Sequence, residues 1–292
     1  MSRQHEFLVT PDPSDPRLTE RVIGTDQDGL PVETSVTVER PLALFLNRRE
    51  IVTLMTIGDY PDCLAIGYLL NQNMLRDRDV VTGVEYDAEA EAVVVRTEGE
   101  TDFEEKLSKQ TRTSGCALGT VFGDIMETFD DIELDPDARI RTSSLYALTR
   151  AINTTPSLYL EAGAIHGCVL CEDDRPLIYM EDVGRHNAVD KIAGYMYLNG
   201  ISSQGKMFYT TGRLTSEMVI KTVQMRIPIL ISRSGFTAWG VELARQANLT
   251  LIGRARGRRF IALAGADRIV YDADPGSVED EPVALRRKAG GE

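Results

Sequence analysis

The sequence predicts an α/β protein: a layered domain over residues 109–272, with helices packed on a central sheet, preceded by a smaller N-terminal α+β domain over residues 31–108. Three observations predict this. Strand-like and helix-like segments alternate through the second region, the pattern of a sheet with crossover helices. The first region is instead rich in hairpin signals around one helix. Finally, 292 residues with 42% apolar and 26% charged side chains suit about two soluble domains at roughly 150 residues each.

In chain order, residues 1–30 carry Pro11, Pro13 and Pro16 with scattered charges and no apolar period, and read as a flexible leader. Val36–Val38 alternates like a strand. Pro41–Leu46 and Ile51–Leu54 read as strands joined by the turn Asn47-Arg48-Arg49. Asp59 is placed to cap a helix that begins near Pro61 and buries Leu64, Tyr68 and Leu75. Val80–Tyr86 and Ala92–Thr97 form a hairpin about Asp87-Ala-Glu-Ala. Residues 85–105 hold nine acidic side chains against Arg96, a solvated face.

In the second region, strands are expected at Ile165–Cys171, Leu177–Met180, Lys206–Thr211, Ile227–Ser232, Leu249–Ile252 and Phe260–Ala264. Helices fall at Ser144–Ile152, Asn187–Leu198, Ser216–Met225 and Ala238–Ala247. Val189, Ile192, Ala193 and Met196 fall at i, i+3, i+4 and i+7, one buried stripe. Residues 273–292 mix Pro, Gly and both charges and read as a flexible tail.

Charge narrows the function classes. The formal net charge is −13 and the isoelectric point near 4.8, so the overall field repels polyanions and argues against nucleic acid as the main partner. No apolar run approaches the length of a membrane helix. The polar start, Met1–Asp15, has no apolar segment of a signal peptide. Four Cys are too few for a disulfide framework, so a cytoplasmic protein is expected.

Six segments could carry chemistry. Cys116 lies in Lys109-Gln-Thr-Arg-Thr-Ser-Gly-Cys-Ala-Leu-Gly-Thr120. Gly115 and Gly119 give the backbone freedom there, and Lys109 and Arg112 bring positive charge, the setting in which a thiolate is stabilised and reachable. Cys168 and Cys171 form a C-x-x-C in His166-Gly-Cys-Val-Leu-Cys, which can be a redox pair or half of a zinc site. Their segment also reads as a strand, where i and i+3 face opposite ways, and core thiols are then the simpler account.

The third segment, Glu181-Asp-Val-Gly-Arg-His-Asn-Ala-Val-Asp-Lys191, delivers Asp182, Arg185, His186 and Asn187 to the start of a helix. Free backbone N–H groups and a bidentate guanidinium suit an anion there; a capped helix with a surface ion pair is the plainer account. Thr210–Arg213 and Ser232–Thr237 each close a strand before a helix, as binding loops or as ordinary turns. Last, Arg254-Ala255-Arg256-Gly257-Arg258-Arg259 concentrates four Arg in an acidic protein. It reads as a grip for a pyrophosphate or a stacked purine, or as an exposed hairpin turn.

These residues carry a resemblance to the formate dehydrogenase accessory sulfurtransferases, the FdhD family, from about Val36 to Ile269. Its markers are Glu39-Arg-Pro-Leu, the Gly58-Asp59 turn, Thr113-Ser-Gly-Cys116, His166, the run Asp182-Val-Gly-Arg-His-Asn-Ala-Val-Asp-Lys191, Gly212-Arg213 and Leu249-Thr-Leu-Ile-Gly253. The resemblance implies a cytidine-deaminase-like fold without the deaminase zinc site, and a homodimer. It implies a sulfur relay in which a cysteine desulfurase loads Cys116 as a persulfide. The sulfur then passes to the molybdenum (or tungsten) bis-molybdopterin guanine dinucleotide cofactor that formate dehydrogenase needs. Residues Arg254–Arg259 match the family's cofactor loop, and Arg185, His186 and Arg213 are expected to line the pocket.

The chain departs from the family in two places: Ala117-Leu118-Gly119 follows Cys116, with no second Cys three positions away, and the Arg254–Arg259 loop is richer in Arg than the family's. One thiol suffices to accept and donate one sulfur. Two other functions are distinguished by simple features. A carrier that holds the cofactor without covalent chemistry would not need the thiol. A zinc deaminase would need a His-x-Glu and a Pro-Cys-x-x-Cys, and the sequence has neither.

Overall fold

The structure is a computed structural model that describes residues 7–76, 79–99, 126 and 128–273. The N-terminal region is a four-stranded sheet, ordered β4-β3-β6-β5, from β3 (Arg40–Leu46), β4 (Arg49–Thr56), β5 (Val81–Asp87) and β6 (Ala92–Thr97). β3 and β4 alternate buried and exposed residues, so one face carries Leu42, Leu44, Leu46, Val52 and Leu54 into a core shared with Val93 and Val95. Helix α1 (Pro61–Asn71) covers that face. Eight of its eleven residues are buried, because its other side lies against a second helix.

The larger sheet has six strands in the order β13-β12-β11-β10-β8-β9. They are β8 (His166–Glu172), β9 (Arg175–Asp182), β10 (Lys206–Thr210), β11 (Ile229–Ser232), β12 (Thr250–Arg256) and β13 (Arg259–Ala264). The middle strands β10, β11 and β12 run parallel, and β8, β9 and β13 pair antiparallel. One face packs on α4 (Arg185–Leu198), α5 (Ser216–Gln224) and α6 (Ala238–Gln246), through Val189, Ile192, Met218, Val219, Leu243 and Ala244. The other packs on α2 (Thr142–Thr154), through Leu145, Leu148 and Ile152. A short helix α3 (Leu158–Glu161) and the small parallel pair β7 (Ile140–Arg141) and β14 (Ile269–Val270) complete this side. The expected strands and helices of the second region all form, each within a few residues of its expected ends.

Three expectations need correction. The described part of the leader is structured: Val9 is buried and bridges Ile178. β1 (Thr19–Thr25) and β2 (Pro31–Thr37) then form a hairpin about Asp26–Leu30. Asp26 organises that turn by accepting from Asp28 N and Leu30 N, local chemistry that a search for apolar periods passes over. Asp59 does not cap α1: Tyr60 holds the N-cap position with φ 47° and makes no side-chain cap, and Asp59 pairs with Lys191. Asp190 and Lys191 are not a surface ion pair, since both are buried to about 1% exposure or less.

The third correction follows from how α1 meets α4. A Cβ on Gly67 would lie 1.7 Å from the Asp190 carbonyl oxygen, and one on Gly194 would lie 1.9 Å from that of Cys63. The two backbones therefore touch at glycines, too close for any side chain between them. Polar groups clamp both ends of this seam. Near the start of α1, Lys191 bridges Asp59 and Asp182. Asp182 also accepts from Thr56 Oγ1 (2.5 Å), Asn187 Nδ2 (2.9 Å) and Gly184 N (3.1 Å). At its end, Asp190 accepts from Asn71 Nδ2 (2.7 Å) and Lys221 Nζ (2.6 Å). Burial opposes the charge on Lys191, but the carboxylates of Asp182 and Asp59 outweigh it and hold its pKa above the ordinary lysine range.

Candidate functional site

The carboxyl ends of β9, β10, β11 and β12 and the start of β8 lie along one end of the large sheet, as their registers require. Hydrogen bonds tie the loops there into a continuous rim. Gly167 N donates to Thr211 Oγ1 (3.0 Å), Ser232 Oγ to the Gly212 carbonyl (2.6 Å), and Arg254 N to the Ser234 carbonyl (2.8 Å). In open α/β sheets this end, where loops meet helix starts, receives ligands. The rim gathers three of the six segments read from the sequence, Thr210–Arg213, Ser232–Thr237 and Arg254–Arg259, beside the start of α4.

The run Asp182–Lys191 divides between two surroundings. Asp182, Asn187, Asp190 and Lys191 face the seam and are buried. Arg185 and His186 turn toward α5, where they share Glu217: His186 Nε2 lies 3.0 Å from Glu217 Oε2, and an Arg185 guanidinium nitrogen 3.9 Å from it. Burial lowers the His186 pKa, although Glu217 pulls the other way. Gly212 backs onto the stem of Arg185, which brings the Arg213 loop against it. Arg213 itself is exposed, yet close enough to help depress the His166 pKa. The three expected pocket residues therefore gather at one end of the large sheet, its mouth.

The arginine segment is both a turn and a charged edge. Arg256 pairs with Arg259 across Gly257-Arg258 at the tip of the β12–β13 hairpin. Ala255 is buried, Arg254, Arg256 and Arg259 are exposed, and Arg258 is half-buried. At the neighbouring strand end, the Arg233 guanidinium sits 5.2 Å over the ring of Tyr159, a cation–π contact. Among the described residues, Arg213, Arg233, Arg254 and Arg256 have no carboxylate at ion-pair distance. A rim carrying this surplus of guanidinium groups can hold phosphate or another multiply charged anion.

Sequence reasoning missed two parts of this site. Glu217 gave no signal, since an acidic residue in a helix's first turn reads as an ordinary surface group. Glu181 is buried, and its carboxylate accepts from Leu158 N (2.7 Å) and Tyr159 N (3.1 Å), so it anchors the turn carrying Tyr159. Burial pushes its pKa up to about 7.

Cys116 lies outside the described residues. The three other cysteines are buried. Cys168 and Cys171 belong to cores on opposite faces of the large sheet, so they do not act as a pair. Burial pushes the thiol of Cys168 up to about 12, that of Cys63 up to about 11, and that of Cys171 up as well. Such thiols are poor nucleophiles. Among the described residues, no three His, Cys, Asp or Glu side chains gather as metal ligands, and no helix is long and apolar enough to cross a membrane.

The fold and site together define a mixed α/β protein whose large sheet carries arginine and histidine along one end of its strands. The chain belongs to the FdhD/NarQ family, whose model matches residues 37–270. It is similar to proteins named sulfur carrier protein FdhD. With that of Wolinella succinogenes it shares 27% identity over 249 residues, covering 84% of this chain and 86% of the relative. With that of Bacillus subtilis strain 168 it shares 28% over 239 residues, covering 82% and 91%. A solved structure from Desulfotalea psychrophila, assigned as a formate dehydrogenase accessory protein, superposes with a TM-score of 0.70 at 25% identity, covering 87% of this chain and 99% of that one.

Proposed function

We propose that this protein is a sulfur carrier that serves formate dehydrogenase, with Cys116 as the thiol that takes up and hands on the sulfur. The single observation carrying this reading is the state of the other cysteines. A sulfur carrier of this kind needs a thiolate that partner proteins can reach, and Cys63, Cys168 and Cys171 are buried with their thiols held protonated. Of the four cysteines, that leaves Cys116, in the Gly-bounded segment that marks the family resemblance.

The transfer into the protein is an exchange between a thiol and a persulfide. The Cys116 thiolate attacks the terminal sulfur of a persulfide on a cysteine desulfurase. A new S–S bond forms on Cys116, the desulfurase S–S bond breaks, and the departing thiolate takes a proton, with no net oxidation. The acceptor is the molybdenum (or tungsten) bis-molybdopterin guanine dinucleotide of formate dehydrogenase, a substrate of this protein. Arg254–Arg259 hold its phosphates, with Arg185, His186 and Arg213 lining the pocket; the exposed guanidinium groups of the rim support this assignment. In the same reading the six-stranded sheet, with α2 and the short α3 on one side and α4, α5 and α6 on the other, is a cytidine-deaminase-like layering, and the working form is a cytoplasmic homodimer.

Cys116→Ala tests the mechanism. Incubated with a desulfurase and sulfur-labelled cysteine, the variant gains no label and keeps its affinity for GDP, a fragment of the cofactor. A labelled variant would overturn the assignment, and undiminished formate dehydrogenase activity in cells carrying it would favour a carrier that works without covalent sulfur. Replacing Arg254, Arg256, Arg258 and Arg259 by Ala weakens GDP binding more than about tenfold, about 1.4 kcal/mol; unchanged affinity would reject that loop.

A further inference from the structure

One half-buried side chain among the pocket residues has no assigned task. His166 opens β8 opposite Asp182 of β9, next to the bonds that join Gly167 to Thr211. Its imidazole makes no hydrogen bond or ion pair among the described residues. Four titratable groups act on it, from β9, α4 and the loop after β10. From β9 comes Asp182, whose oxygens are taken by Thr56, Asn187, Gly184 and Lys191. From α4 come Arg185 and His186, both directed at Glu217 of α5. Beyond β10 comes Arg213, with no carboxylate partner among the described residues. Burial first, then Arg185, His186 and Arg213, lower the His166 pKa and disfavour the imidazolium.

A half-buried imidazole with its nitrogens uncommitted, set among cations, is a poor arrangement for the empty protein and a good one for an anion. We propose that His166 grips a phosphate group of the ligand, which settles between its ring and the Arg213 guanidinium. This deepens the reading above and rests on it, since that reading supplies a ligand with phosphates. A bound phosphate reverses the local field: it offsets the neighbouring cations and accepts a charge-assisted hydrogen bond from the imidazolium. Binding therefore takes up a proton at His166, and the grip tightens as pH falls through the histidine range.

The test is calorimetry on the full chain with inorganic pyrophosphate and with GDP, between pH 6 and 8, in buffers of differing ionisation enthalpy. Comparing wild type with His166→Gln cancels the titration of the ligands themselves. The wild type takes up a large part of one proton more than the variant near pH 7. At pH 6 the variant binds pyrophosphate about tenfold more weakly, and at pH 8 about equally. Equal proton uptake and equal affinity in the two proteins would overturn the proposal, even if GDP binds both tightly and the cofactor reading stands. If uptake depends on His166 but GDP binds no better than pyrophosphate, the grip stands and the guanine-dinucleotide reading fails. The chain has three histidines, so ring NMR of the unmodified protein gives a check independent of the variant. Pyrophosphate raises the His166 midpoint, and an unmoved midpoint would contradict the grip.

Discussion

Lys191 and Arg213 both come from segments that read alike in the sequence, polar turns leading into helices, and the protein treats them in opposite ways. Lys191 is buried at the α1–α4 seam, with Asp59 and Asp182 as partners. Arg213 stands exposed at the mouth, with no carboxylate partner among the described residues. Charge that is desolvated and saturated holds the two sheets together, whereas charge left half-wet and in surplus is available to a ligand. Burial of the partners, more than residue type, separates structure from function here.

Four variants break or sharpen this contrast. Lys191→Met strands two carboxylates at the seam and costs about 3–5 kcal/mol, read as a lowered urea midpoint. A loss below about 1 kcal/mol would mean that the seam behaves like a surface pair. Gly67→Ala drives a Cβ into the Asp190 carbonyl and costs about 3 kcal/mol by forcing the helices apart. Its urea midpoint falls while the slope is kept, and a midpoint equal to wild type would show that the seam gives way freely.

Glu181→Gln sharpens the comparison from the other side, because this carboxyl is buried with neutral donors bonded to it, the Leu158 and Tyr159 N–H groups and the Tyr179 hydroxyl. Its folded pKa of about 7 lies above its unfolded value, so the native state binds the extra proton. Stability from this group is therefore fully present near pH 4.5 and is lost as pH rises through 7, by up to about 3 kcal/mol. The variant removes that slope from the pH dependence of the melting temperature, and an unchanged slope would refute the assignment. Arg213→Ala has the smallest effect on stability, within about 0.5 kcal/mol, yet weakens pyrophosphate binding. Measured together, a stability loss without a binding loss would reverse the roles given to seam and mouth.

Much of the fold was legible, because the large sheet and its helices follow apolar periods. The stripe Val189, Ile192, Ala193 and Met196 is buried as its spacing demands. What periodicity cannot express was lost. Gly67 and Gly194 look like weak points in helices until the backbones they bring together are known. The β1–β2 hairpin has few buried residues to betray it. At the site, Arg185, His186 and Arg213 were legible as polar residues at a strand-to-helix turn. Asp190 and Lys191 looked the same and serve the seam, since a sequence does not show which side of α4 meets α1. Glu217 and Glu181 were invisible because their partners lie far away in the chain: His186 for the first, Leu158 and Tyr159 for the second.

The most direct test of the sulfur-carrier reading is mass spectrometry of the native protein after incubation with a desulfurase and cysteine, with the modified peptide sequenced. One additional sulfur atom on Cys116, with Cys63, Cys168 and Cys171 unchanged, is the predicted result. Sulfur found on any of those three, or on none of the four, would contradict it.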